Sequence, residues 1–135
     1  MPPGTFVPEL GYADVSATAA WLRDAFGFAE RLRIADHRIQ MTFGDSSIVV
    51  IEGPRNPDAA HATTHSVMVH VDDVDRHFER ARRAGAKIVR MPTDYPYGER
   101  QYTAEDPGGH RWTFSQTIAD VHPREWGGDL IEDER

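Results

Sequence analysis

His-Ser-Val-Met-Val-His-Val-Asp-Asp-Val-Asp, residues 65–75, is the stretch that decides the fold. Its first seven residues alternate around three β-branched valines, the pattern of a strand. Asp72-Asp73 then starts a helix, with Val74, Phe78 and Ala81 at helical spacing, and Gly85 ends it. The same passage occurs earlier in the chain. Phe-Val-Pro-Glu-Leu-Gly-Tyr (6–12) reads as a strand that Pro8 keeps near a sheet edge. Ser16 can cap a helix over Ala17–Phe26 that carries Ala20, Trp21, Ala25 and Phe26 on an apolar stripe and stops at Gly27. The helix starts, Asp14-Val15 and Asp73-Val74, lie 59 residues apart, and the stops Gly27 and Gly85 lie 58 apart.

Three strand-like runs follow the first helix, at about 28–35, 38–43 and 47–52, with turns at Asp36-His37 and Gly44-Asp45. Three follow the second, at 86–91, 101–105 and 111–116, the last after the turn Asp106-Pro107-Gly108-Gly109. Residues 91–102, with Pro92, Pro96 and Gly98, read as an irregular loop. Each half is therefore strand, helix, strand, strand, strand. A period near 60 residues is too long for a solenoid and fits a duplicated half-domain. The expected organisation is a first module over 1–54, a linker over 55–64, a second module over 65–117 and an acidic tail over 118–135, all within one structural domain.

Composition limits the function. With 135 residues the chain has the size of one domain, and no cysteine is present for thiol chemistry or a disulfide scaffold. Its net charge of −7 argues against a nucleic-acid partner. Six acids and two bases over 117–135 give that segment a net charge of −4. No apolar run reaches the ~20 residues of a membrane span, and Met-Pro-Pro-Gly at the start lacks the pattern of a signal peptide. The expectation is a cytoplasmic protein with no membrane partner.

Three segments resemble the vicinal oxygen chelate superfamily, which contains glyoxalase I, bleomycin resistance proteins and extradiol dioxygenases. They are Gly-Tyr-Ala-Asp-Val-Ser-Ala-Thr-Ala-Ala-Trp-Leu-Arg-Asp-Ala-Phe-Gly-Phe (11–28), the 65–75 stretch, and Glu-Asp-Pro-Gly-Gly-His-Arg-Trp-Thr-Phe (105–114). The resemblance implies an α+β fold of two βαβββ modules whose curled mixed sheets form concave cups, and a homodimer. In metal-dependent members four strand positions supply the metal ligands. Carried over, these fall on Val7, Glu52, His65 and Thr113. Valine cannot ligate and threonine is a poor neutral donor, so the resemblance is closest to the metal-free, bleomycin-resistance-like members. No cofactor is expected. The alternative is a divalent metal held weakly by Glu52 and His65, with the same pair also open to a general-base role. Glu52 ending a strand at the surface, and His65 hydrogen bonding at a strand start, remain equally open.

Counting by two from those positions places Val67, Val69, Val71, Val50, Ile48, Arg111 and Ser115 on the cup, with Met68, His70, Trp112 and Phe114 facing the helices. Tyr95, Tyr97 and Tyr102 could stack on a planar ligand from the rim. The candidate ligand-binding residues are thus Val7, Val50, Glu52, His65, Val67, Tyr95, Tyr97, Tyr102, Arg111 and Thr113, with no catalytic residue assigned. The expected function is metal-free binding of a small molecule, cationic or planar aromatic, that sequesters an antibiotic or related metabolite. The alternative is a glyoxalase-like lyase or isomerase.

Overall fold

The computed structural model describes residues 4–53 and 65–131. The linker over 55–64, with His61, lies outside them. The first module is β1 (Glu9–Tyr12), α1 (Val15–Phe26), β2 (Ala29–Ile34), β3 (Arg38–Phe43) and β4 (Ser46–Glu52). The second is β5 (Ser66–His70), α2 (Val74–Arg83), β6 (Lys87–Tyr95), β7 (Glu99–Glu105) and β8 (Arg111–Thr117), followed by a 3-10 turn over Pro123–Trp126. Each module is a four-stranded mixed sheet, in the orders β1-β4-β3-β2 and β5-β8-β7-β6. In each, the first strand runs parallel to the last, and the others pair antiparallel.

Local chemistry explains the repeat. Asp14 and Asp73 occupy matching N-caps and accept from the amides of Ala17 and Arg76 at 3.0 and 3.1 Å. The first cap is therefore Asp14, with Ser16 inside the helix. Gly27 adopts φ +86° to end α1, a conformation without steric cost only for glycine. The segment read as a loop over 91–102 is instead a hairpin. β6 runs on to Tyr95, β7 begins at Glu99, and Gly98 turns at φ +86°. Pro92 is accommodated because β6 is an edge strand with irregular register.

Both helices lie on the inner side of the sheets and share one core. Phe26 of α1 meets Trp112 and Phe114 of the second sheet, with ring centroids 5.6 and 4.8 Å apart. Trp112 and Phe114 are fully buried, as expected. The outer faces of the two sheets are left free of helices.

A second tie joins the modules. The buried Asp106 carboxylate accepts from the Tyr12 hydroxyl, from Trp112 Nε1 at 2.9 Å, and from the amides of Gly108 and His110 at 3.0 Å each. His110 Nε2 donates to the Gly11 carbonyl at 2.9 Å. Gly108 packs so closely on Tyr12 that a Cβ there would sit 2.5 Å from the ring. The β7–β8 turn, Asp106 to His110, thereby plugs the end of β1.

Candidate functional site

The corresponding turn of the first module is shorter. Only Gly44 and Asp45 separate β3 from β4, against five residues between β7 and β8. Where this short turn faces the end of β5, a cleft of about 870 Å³ opens between the modules. Its floor is aromatic. Phe28 and Phe43 lie with rings 5.3 Å apart, and Phe28 meets Trp112 at 5.4 Å. One wall is β5 from Val67 to His70 with the residues Val71–Asp73 that follow it. The opposite wall is Phe6, Pro8 and the run Gly44–Ile48. Arg76, His77 and Arg80 of α2 complete the rim. The lining is mixed, with Asp45, Asp72, Asp73 and Arg76 beside the apolar residues, and a concave site of this size suits a drug-sized ligand.

Several rim groups are already committed. Arg80 Nε and Nη2 donate to the carbonyls of Asp24 and Arg23 at 3.1 and 2.9 Å, closing the end of α1. His77 Nε2 donates to the Phe26 carbonyl at 2.8 Å, so its Nδ1 is the acceptor facing the Tyr102 hydroxyl. Burial holds His77 below its ordinary pKa, Arg80 adds to that, and the Phe26 hydrogen bond opposes it. The neutral ring is therefore a structural part of the wall. Ser47 differs: it is buried and its hydroxyl has no hydrogen-bond partner.

The structure separates the sequence-derived candidates into groups. Val67 lines the cleft, and Val7 lies between its lining residues Phe6 and Pro8. Tyr95, Tyr97, Arg111 and Thr113 gather on or beside the outer face of the second sheet. There Tyr95 and Tyr97 stack at 5.3 Å, and Trp126 of the tail meets Tyr97 edge-on at 5.6 Å. Arg111 Nε lies 3.4 Å from the Glu105 carboxylate, and the hydroxyls of Thr113 and Thr103 lie 3.0 Å apart. Val50 and Tyr102 are fully buried in the core, which removes them from any ligand surface.

Two face assignments are corrected. Val67 pairs with Trp112 and Val69 with Phe114, so the valines of β5 turn inward to the helices. Met68 and His70 take the outer face and are exposed. In β4, Ile48 and Val50 face the core, and Glu52 shares that side at the strand's end through its pairing with Tyr12. The cause is burial: β5 places Val67 and Val69 under the helices and leaves Met68 and His70 exposed, whereas β4 buries Ser47 and Val49 on its other face as well.

This decides whether a metal fits. Glu52 is exposed beside the start of α1, in a groove with Asp14, Ser16 and Asp36. His65 instead packs near His110, with ring centroids 5.6 Å apart. Among the described residues no three His, Asp or Glu side chains gather in a way that could hold a metal ion. The four carried-over positions, Val7, Glu52, His65 and Thr113, do not form a donor set. The sequence does show that the two turns are unequal, and the shorter one borders the cleft.

The chain matches proteins of this architecture. The profile of the Glyoxalase/Bleomycin resistance protein/Dioxygenase superfamily covers residues 7–114. TioX from Micromonospora sp. ML1 is 33% identical, with a TM-score of 0.70 over 88% of this chain and 100% of that one. A lactoylglutathione lyase from Agrobacterium tumefaciens shares the fold at 19% identity, with a TM-score of 0.64 over 86% of this chain and 96% of that one. An uncharacterized protein of Mycobacterium bovis is 35% identical over 66 residues, 49% of this chain and 43% of that protein. The chain thus spans less than half the length of the curated relatives it matches. With two βαβββ modules, the Asp106 turn and a profile match across both, the chain belongs to the Glyoxalase/Bleomycin resistance protein/Dioxygenase superfamily.

Proposed function

We propose that this protein binds a small organic molecule in the cleft between its modules, without a metal, and holds it unconverted. The observation that carries the reading is the cleft itself: about 870 Å³, floored by Phe28, Phe43 and Trp112 and rimmed by polar groups that include Asp72 and Arg76. Glu52 and His65 stand apart from it, so no observation favours the metal-dependent lyase reading. In this reading the protein sequesters an antibiotic or related metabolite, since tight binding alone would lower the free ligand. We further propose that the chain works as a cytoplasmic homodimer, in which the helix-free outer faces of the sheets are covered.

The test is titration of metal-stripped protein with a panel of planar aromatic and peptidic antibiotics, read by tryptophan fluorescence and by mass spectrometry of the ligand. The expected result is saturable binding of one ligand per chain, recovery of the ligand unchanged, and loss of binding in Met68→Trp, where an exposed cleft residue is enlarged. Ligand turnover, or affinity indifferent to Met68→Trp, would overturn the proposal.

A further inference from the structure

The acidic tail takes no part in the cleft. Its described residues run from Ile118 to Ile131, past residue 114, where the superfamily profile ends. They meet the second sheet at the β6–β7 turn, beside its outer face.

No helix covers that face, yet two of its polar side chains are buried. Gln101 and Ser115 pair in register, out of phase with the core residues Tyr102 and Phe114, so they face outward. Their exposure is nevertheless only 8% and 2%. They belong to a hydrogen-bonded row. Gln101 Nε2 donates to Ser115 Oγ at 3.0 Å, and Ser115 Oγ donates to the Glu99 carboxylate at 2.8 Å. The Tyr97 hydroxyl donates to Gln101 Oε1 at 3.3 Å. Tyr97 thus stands at the end of the row, and the Trp126 indole stands edge-on to Tyr97.

The tail is attached lightly. The Gly98 carbonyl accepts from the amides of Ile118 and Ala119. Beyond these, every described hydrogen bond of residues 120–131 is internal to the segment, among them the Glu125 amide on the His122 carbonyl at 2.9 Å and the Gly128 amide on the Pro123 carbonyl at 2.8 Å. Gly128 packs on the indole so closely that a Cβ there would lie 2.9 Å from the ring. Residues 122–128 are therefore a small knot folded on their own tryptophan. No residue of Pro123–Trp126 is buried, and Trp126 itself is 43% exposed. A segment with so few buried contacts opens at a lower free energy than the sheet it rests on.

We propose that residues 118–131 form a strap at one end of the outer face of the second sheet, latched by Trp126 on Tyr97 and hinged at Gly98, which opens while both modules stay folded. Closed, it holds Tyr97 over the Glu99–Ser115–Gln101 row. Open, it frees the Tyr97 ring and gives polar molecules in solution access to the hydrogen-bonding groups of that row. This device is independent of the cleft.

The test compares the full chain with Trp126→Ala and Trp126→Phe. Access to Tyr97 is read as its rate of nitration by tetranitromethane, assigned by mass spectrometry. Strap opening is read as amide exchange at Ile118 and Ala119 by NMR, and the modules by the urea midpoint. In the parent chain the Ile118 and Ala119 amides should be at least about a hundredfold less protected than those of β8. Trp126→Ala should raise Tyr97 nitration and strap exchange about tenfold with the urea midpoint unchanged. Trp126→Phe, which keeps a ring for the latch, should stay nearer the parent.

Equal protection of the strap and β8 amides overturns the proposal, as does Tyr97 nitration unchanged in Trp126→Ala. A lowered urea midpoint in Trp126→Ala makes the tail an integral part of the fold and also overturns it. Tyr97 protection that rises with protein concentration assigns the cover to a second copy, with the same consequence.

Discussion

The hydroxyl of Tyr12, in the first strand of one module, donates to the carboxylate of Asp106, in the last turn of the other, with both groups buried. Burial pushes the Tyr12 phenol well above its ordinary value, and the adjacent carboxylate and hydrogen bond push it further, so it remains a donor through the alkaline range. The contact links residues 94 apart in the chain. Tyr12→Phe keeps the ring that packs on Gly108 and removes only the donor. It should cost about 1.5–3 kcal/mol, the usual value for a hydrogen bond to a charged group, as a lower urea midpoint with an unchanged m-value.

Asp106→Asn is expected to cost more. The carboxylate serves four donors, and an amide would aim its own N–H groups at some of them. Urea unfolding of the two variants side by side tests the order. A milder Asp106→Asn would contradict the role of the carboxylate as the tie between modules.

His77 supplies a pH dependence. Its folded pKa lies below the unfolded value of about 6.5, so the unfolded chain binds more protons in the window below that value. Its contribution therefore favours folding more as pH rises, is complete above about 6.5, and is lost as pH falls toward the folded pKa. Stability measured at pH 7.5 and 5.5 should fall toward the acid side, and His77→Gln should make that fall smaller.

Metal titration should be uneventful. Calorimetry with Ni, Zn and Mn on chelator-treated protein should show no stoichiometric binding at micromolar affinity, because among the described residues no three His, Asp or Glu side chains gather to hold a metal ion. Tight binding abolished in both Glu52→Ala and His65→Ala would show that the two residues meet.

Gly98→Ala should loosen the tail. Gly98 sits at φ +86°, its carbonyl accepts from the amides of Ile118 and Ala119 at 2.8 and 3.2 Å, and an added Cβ would lie 2.2 Å from the Ala119 carbonyl oxygen. Backbone strain of this kind costs about 1–3 kcal/mol. A red-shifted emission from Trp126, released from Tyr97, is the expected sign.

Much of this architecture was legible because it is written twice. Asp14 with Gly27 and Asp73 with Gly85 punctuate two helices at one spacing, and local capping chemistry fixed both. The faces of β5 and β4 were misread because the count began at His65 and Glu52, taken as inward positions. The valines themselves held the better signal, since Val67 and Val69 alternate with Met68 and His70 and only one set suits a core. The Tyr95–Tyr97 hairpin was hidden by Pro92 and Pro96, which an edge strand and a turn can absorb. The cleft could not be read locally at all, because Phe43, Ser47 and Met68 meet only through the packing of one module on the other.

The unequal turns break the symmetry of the doubled fold. A doubled fold begins with two equivalent sockets, one at the end of each module's first strand. Five residues from Asp106 to His110 close one of them, and two residues, Gly44 and Asp45, leave the other open. Loop length thus distinguishes two ends that duplication would have made alike, one filled by the Asp106–His110 turn and one bordering the cleft.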